Sequence, residues 1–204
     1  MKSIVFLGDS ITDCGRQRDN IKSLSTGYVN EIKQVLCNNS TIINKGIAGN
    51  KIADLYDRLQ RDCIDLKPDI VSILIGINDA WHFVEQQYYD IEKEMARFQK
   101  IYIDMVTEIK NSGVQKIILL EPFVLPQQQQ YLKWRIDLDK RIQIIRTIAK
   151  KYQCLFVSLD GVMNEAGINR EYSTYCQDGV HPTQKGHKLI AEQFIKVFCN
   201  EKKN

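Results

Sequence analysis

Four short segments of this chain carry the residue types that acyl transfer uses. The first is Gly8-Asp9-Ser10, which ends the apolar run Ile4-Val5-Phe6-Leu7. A short apolar run stopping at such a tripeptide reads as a buried strand with a serine at its tip. Gly8 has access to backbone angles closed to other residues, so the chain can turn at once and hold Ser10 up. An ordinary helix cap by Asp9 or Ser10 would read the same way. A nucleophilic serine also needs a base, a group that orients the base, and donors for an oxyanion. The segment Asp178-Gly179-Val180-His181 supplies a carboxylate three residues before a histidine, within reach of its Nδ1–H. Asn44-Lys45-Gly46-Ile47-Ala48-Gly49-Asn50 offers a glycine whose bare N–H can point into a site. In Gly76-Ile77-Asn78-Asp79-Ala80-Trp81, Asn78 can donate a side-chain N–H, with Asp79 bracing it or capping the next helix.

Elements must bring these segments together. Strands are expected at 3–8, 41–44, 69–75, 116–120 and 154–159. The third and fourth are almost wholly apolar, as strands covered on both faces are. Helical periodicity covers 26–37, 50–62, 87–111 and 132–152, and a last helix is expected from near Pro182, with Gly113 stopping the third. Alternating strands and helices imply an α/β fold: a three-layer α/β/α sandwich around a five-stranded, mostly parallel, doubly wound (flavodoxin-like) sheet. In such folds ligands bind at the carboxyl ends of the strands, where strand order reverses. Ser10 stands at the carboxyl end of the first strand. The 204 residues suggest a single domain, 1–204, without internal repeats. The run Gln127-Gln128-Gln129-Gln130 reads as a loop entering a helix.

The four segments, in the order Ser, Gly, Asn, Asp-x-x-His, resemble the landmark regions of the SGNH hydrolase superfamily, the GDSL-type esterases and lipases. The resemblance covers nearly the whole chain. Gly8 to Arg16, Thr26-Gly27-Tyr28-Val29, Asn44 to Asn50 and Ile75 to Trp81 look most like the branch of carbohydrate acetylesterases, such as acetyl xylan esterases. Two departures are Ala48, where the family often has serine, and a spacing of five from Ser10 to Gly15, where many members have four. The resemblance implies a serine esterase with Ser10, Asp178 and His181 as catalytic residues. It implies an oxyanion hole made by the N–H groups of Ser10 and Gly49 and the Asn78 amide. It needs no cofactor or metal. Asp9, Trp81 and Tyr28 are expected near the substrate pocket, with His82 and Trp134 as further wall candidates; Asp9 is also expected to support the turn. The resemblance also points to homo-oligomer formation.

Composition excludes several classes. A net charge of +3, without a stripe of Lys and Arg, argues against nucleic acid as a partner. No apolar stretch is long enough to span a membrane, and none reads as an export signal, so a cytoplasmic protein acting on a small-molecule ester is expected. The six cysteines contain no C-x-x-C pair and read as reduced core thiols, with Cys14 and Cys176 beside the proposed site. Three histidines without a Cys/His cluster argue against a metal site, and His187 lacks an aspartate at useful spacing. No G-x-S-x-G elbow, phosphate loop or dinucleotide turn is present. The absence of a long apolar lid favours short acyl groups, acetyl above all. Lysophospholipase, thioesterase or acyltransferase activity at the same site, or a non-catalytic carbohydrate-binding module, stand as alternatives.

Overall fold

The carboxyl ends of three adjacent strands come level, and that alignment places the site. In the computed structural model, which describes residues 2–36, 40–84 and 90–200, the strands are β1 (Lys2–Gly8), β2 (Ser40–Gly46), β3 (Ile70–Leu74), β4 (Lys116–Leu120) and β5 (Leu155–Val157). They form one sheet in the order β2-β1-β3-β4-β5, and every pairing is parallel. This is the flavodoxin-like order, with its switch point between β1 and β3. Gly8 pairs with Gly46 on one side and Leu74 on the other. The chain therefore leaves all three strands at one height.

Alternation along β1 feeds two cores. Ile4 and Phe6 join Tyr28, Val29 and Ile32 of α2 (Tyr28–Leu36) and Ile190 and Phe194 of α9 (Gln184–Asn200). Val5 and Leu7 face the other way, toward Ile52 and Leu55 of α3 (Ile52–Asp57) and the apolar stripe Phe98, Tyr102, Met105 and Ile109 of α6 (Ile91–Asn111). Both faces of the sheet are covered, which accounts for the nearly unbroken apolar runs of β3 and β4. The long α7 (Tyr131–Lys151) contributes to both cores.

Several expected boundaries shift for identifiable reasons. The expected helix 50–62 breaks at Arg58 (φ −106°, ψ 6°) into α3 and α4 (Leu59–Asp62). The fifth strand ends at Val157, because Ser158 Oγ and the N–H groups of Leu159 and Asp160 all donate to the buried Glu121 carboxylate. Pro182 is not in the last helix. It bridges to Cys176, and α9 begins after Thr183, whose hydroxyl accepts the Gly186 N–H. Besides the short turn of helix at residues 10–13, α5 (Ile77–Val84) and α8 (Asp160–Ile168) fall outside the stretches of helical periodicity. The latter holds Gly161 and Gly167, poor helix formers that weaken its signal. Gly113 ends α6 with φ 91°, as expected. Cys37, residues 87–89 of the expected helix 87–111, and the tail 201–204 lie outside the described residues.

Gly8 corrects one expectation. It has no positive φ; what it needs is space, since a Cβ there would lie 2.2 Å from Thr12 Oγ1 and 2.5 Å from the Leu74 carbonyl oxygen. Gly46 is as tight and meets only backbone, with the Asp13 nitrogen 2.2 Å from where its Cβ would be. Gly46→Ala should lower unfolding stability by about 3 kcal/mol, the upper part of the overpacking range. Gly161→Ala, where a Cβ meets nothing within 4 Å, should raise stability by about 0.5 kcal/mol. Urea denaturation of the two variants checks both signs.

Candidate active site

Beyond Gly8 the chain turns into α1 (Ser10–Asp13). Asp9 is its N-cap, with Oδ1 accepting the Ile11 N–H at 3.0 Å. Ser10 is thus the first helical residue, and a first-turn N–H has no acceptor within its own helix. The helix closes after four residues at Cys14, which takes the left-handed conformation (φ 46°) and donates its N–H to the Ser10 carbonyl.

Ser10 Oγ lies 3.1 Å from His181 Nε2, and His181 Nδ1 lies 2.7 Å from Asp178 Oδ2. The other carboxylate oxygen accepts the N–H groups of His181 (2.7 Å) and Val180 (2.9 Å). A carboxylate facing Nδ1 draws the imidazole proton there and leaves Nε2 as the acceptor facing Ser10. Burial pulls the Asp178 carboxyl upward, but its bonds from the His181 backbone and ring and from Val180 outweigh this and hold it below its ordinary value. The side chains of Asp178 and His181 stay 44% and 41% exposed, so solvent and substrate reach them.

The loop carrying this pair is fastened to the segment after β4. Leu125 N–H donates to the Gly179 carbonyl, Tyr131 Oη–H to the Asp178 carbonyl, and Gln127 Nε2 to the Cys176 carbonyl. Gly179 (φ 91°) is obligatory here: a Cβ would fall 2.6 Å from the Leu125 carbonyl oxygen and 2.7 Å from the Tyr131 ring. Gln127, in the run without an expected role, thus helps hold the loop.

The loops after β2 and β3 bring in the other two segments. Gly49 takes φ 82° and lies exposed. Asn78, in the first turn of α5, donates Nδ2–H to the Asn50 carbonyl at 3.1 Å, leaving its second amide hydrogen for another acceptor. Asp79 neither caps α5 nor touches solvent; its Oδ2 accepts the Ile52 N–H and braces the turn that follows Gly49. Asp13 pins the same loop by accepting the Ala48 N–H.

Other expected site residues fall elsewhere. Asp9 and Tyr28 are buried and cannot wall a pocket. The Tyr28 hydroxyl pairs with Thr12 Oγ1, and its ring packs on Phe6 in the core. Trp134 is buried too, stacked on Trp81 with ring centroids 5.0 Å apart. Trp81 is half-buried and His82 exposed. His187 is structural: its Nδ1 accepts the Tyr28 N–H, so its neutral ring carries the proton on Nε2, which faces Cys14 Sγ at 3.4 Å. Burial pushes its pKa down to about 4. Cys176 is buried, and burial raises its thiol pKa. Among the described residues, no group of three or more His, Cys, Asp or Glu is placed to hold a metal, and no helix is long and apolar enough to cross a membrane. Arg58 and Tyr131 carry no signal in the sequence that separates them from ordinary helical residues.

The model of the GDSL-like lipase/acylhydrolase family matches residues 6–189. The chain belongs to that family. This GDSL-family chain is a carboxylic ester hydrolase. It is 32% identical to an acetylxylan esterase of Geobacillus stearothermophilus, over 96% of this chain and 93% of the relative. The crystal structure of that esterase superposes with a TM-score of 0.84. Further structures of it are described as catalytic mutants, with a serine, an aspartate, or a histidine three positions after that aspartate changed to alanine. A putative GDSL-like lipase from Parabacteroides merdae is 29% identical with a TM-score of 0.83, over 96% of this chain and 94% of that one.

Burial gives the site a pH signature. Asp9 is enclosed, and desolvation drives its carboxyl up to about 7 against the Ile11 hydrogen bond and the charge of His181, with Asp79 adding to the rise. An unfolded aspartate titrates near 3.9. Between about pH 4 and 7 the folded chain therefore keeps a proton that the unfolded chain has released, and stability falls as pH rises through that window. Asp9→Asn keeps the cap oxygen and removes the charge. Its stability relative to wild type should grow from pH 4 to pH 8 in urea titrations; an equal difference at both pH values would contradict the burial argument.

Proposed function

We propose that this chain removes acetyl groups from an acetylated carbohydrate through an acyl-enzyme on Ser10. The observation that carries the reading is the continuous line from Ser10 Oγ through His181 to Asp178, at 3.1 and 2.7 Å. His181 Nε2 takes the Ser10 proton as Oγ attacks the ester carbonyl, and Asp178 steadies the imidazolium that forms. The developing oxyanion is bound by the N–H of Ser10, the N–H of Gly49 and the free amide hydrogen of Asn78. His181 then protonates the leaving alcohol, and water, activated by the same imidazole, releases acetate and restores Ser10. The acetylxylan esterases among the relatives support the acetyl group and the sugar.

Two measurements test this. The kcat/KM for p-nitrophenyl acetate should exceed that for the octanoate, and acetylated xylo-oligosaccharides should release acetate; a preference for octanoate would contradict the acetyl assignment. Removing one oxyanion donor costs on the order of 3 kcal/mol, so Asn78→Ala should lower kcat roughly a hundredfold with the fold retained. A folded variant with wild-type kcat would show that Asn78 does not bind the oxyanion.

A further inference from the structure

Arg58 sits where the helical period of 50–62 breaks. Its backbone lies near the sparsely populated bridge region, which turns its side chain inward, and the residue is 8% exposed. The guanidinium fork reaches four partners. Nε donates to Asn50 Oδ1 at 2.7 Å, and Nη1 to the Lys45 carbonyl at 2.8 Å and Asp62 Oδ2 at 3.0 Å. Nη2 donates to the Gly8 carbonyl at 3.1 Å.

Three of these partners share one property: each belongs to the framework of the site. Gly8 ends β1 and stands two residues before Ser10. Its carbonyl also accepts the Ile47 N–H at 3.0 Å, so it already joins the nucleophile turn to the loop after β2. Lys45 lies one residue before the end of β2. Asn50 follows Gly49, and its own carbonyl receives the Asn78 amide. The fourth partner, Asp62, balances the buried charge and is held in turn by Lys45 Nζ and Arg61. A planar fork with five fixed donors can satisfy acceptors in these separate directions at once; an ammonium on a flexible stem cannot hold the same set.

We propose that Arg58 is a positioning residue: it holds the oxyanion loop, residues 47–51, in register with the Ser10 turn, and so acts on the transition state through Gly49 and Asn78. The inference rests on the reading of Ser10 as the acylated nucleophile. A side chain that merely stabilised the fold would change the amount of active protein. A positioning residue changes the rate per active site, because a displacement of about 1 Å in such a group can cost about a hundredfold.

The test uses p-nitrophenyl acetate, with active sites counted by a serine-reactive phosphonate. Arg58→Lys keeps a positive charge beside Asp62 and loses the fork. It should label to full stoichiometry, keep its KM, and lose about a hundredfold in kcat. Combined with Asn78→Ala, the loss should be smaller than the product of the two single effects, because both substitutions release the same loop. A wild-type kcat per labelled site, or losses that multiply in full, would overturn the inference. If Arg58→Lys does not fold, Asn50→Ala decides. It removes one contact of the fork while keeping the carbonyl that Asn78 uses, so kcat should fall about tenfold at unchanged KM, and wild-type kcat would overturn the inference. Wild-type protein that neither turns over ester nor takes label would instead refute the role of Ser10.

Discussion

The site depends on a backbone contact that leaves no room for a side chain. Asp13, at the end of α1, lies so close to Gly46 that only hydrogen fits between them. Around that contact the two segments are stitched together. Asn44 Nδ2 donates to the Thr12 carbonyl, Arg16 Nε to the Gly46 carbonyl, and Ala48 N–H to the Asp13 carboxylate. The turn that presents Ser10 and the loop that presents Gly49 are therefore one packed unit, laid across the level ends of β1 and β2. Interiors packed at this density transmit small displacements instead of absorbing them. That is what an oxyanion site needs, since its donors must already be in place when charge develops.

Environment divides chemically similar residues into different tasks. His181 is half-exposed, with its Nδ1 committed to Asp178, so Nε2 can accept and return a proton. His187 is buried, with one nitrogen holding the Tyr28 N–H and the other facing Cys14, and its pKa is pushed down to about 4. It stays neutral and ties α9 to α2. The aspartates divide in the same way. Asp178 receives enough hydrogen bonds to hold its charge, whereas buried Asp9 and Asp79 are both driven up to about 7, chiefly by desolvation. For Asp79 the charge of Arg141 and the Ile52 N–H work against that rise. Acid–base chemistry at one His–Asp pair and rigid support at the other carboxyls follow from solvent access.

Much of this was legible in the residue order. Apolar runs that end in Gly8-Asp9-Ser10 and Gly76-Ile77-Asn78 mark strand ends, and the alternation of runs and stripes leads to a parallel sheet. Asp178 and His181 are three apart, and local spacing alone lets them pair. What could not be read is what depends on packing between distant segments. Gly8 and Gly46 are glycines for want of space, and the obstructing atoms belong to Thr12, Leu74 and Asp13. Arg58 looks like one more polar position of a helix until the helix breaks beneath it. Tyr28 and Trp134 have the aromatic character of pocket walls, but the burial that removes them from the surface comes from α9, α5 and β1. Glu121, which shortens β5 by taking three donors from residues 158–160, gives no periodic signal at all.

The central claim is that the line from Asp178 through His181 activates one hydroxyl, that of Ser10. Incubation with a serine-reactive phosphonate, followed by digestion and mass spectrometry of the peptides, locates the activated group directly. The account predicts one adduct per chain, on the peptide bearing Ser10, with loss of esterase activity in step with labelling and no adduct in Ser10→Ala. An adduct on any other residue, or ester turnover that survives in Ser10→Ala, would contradict it.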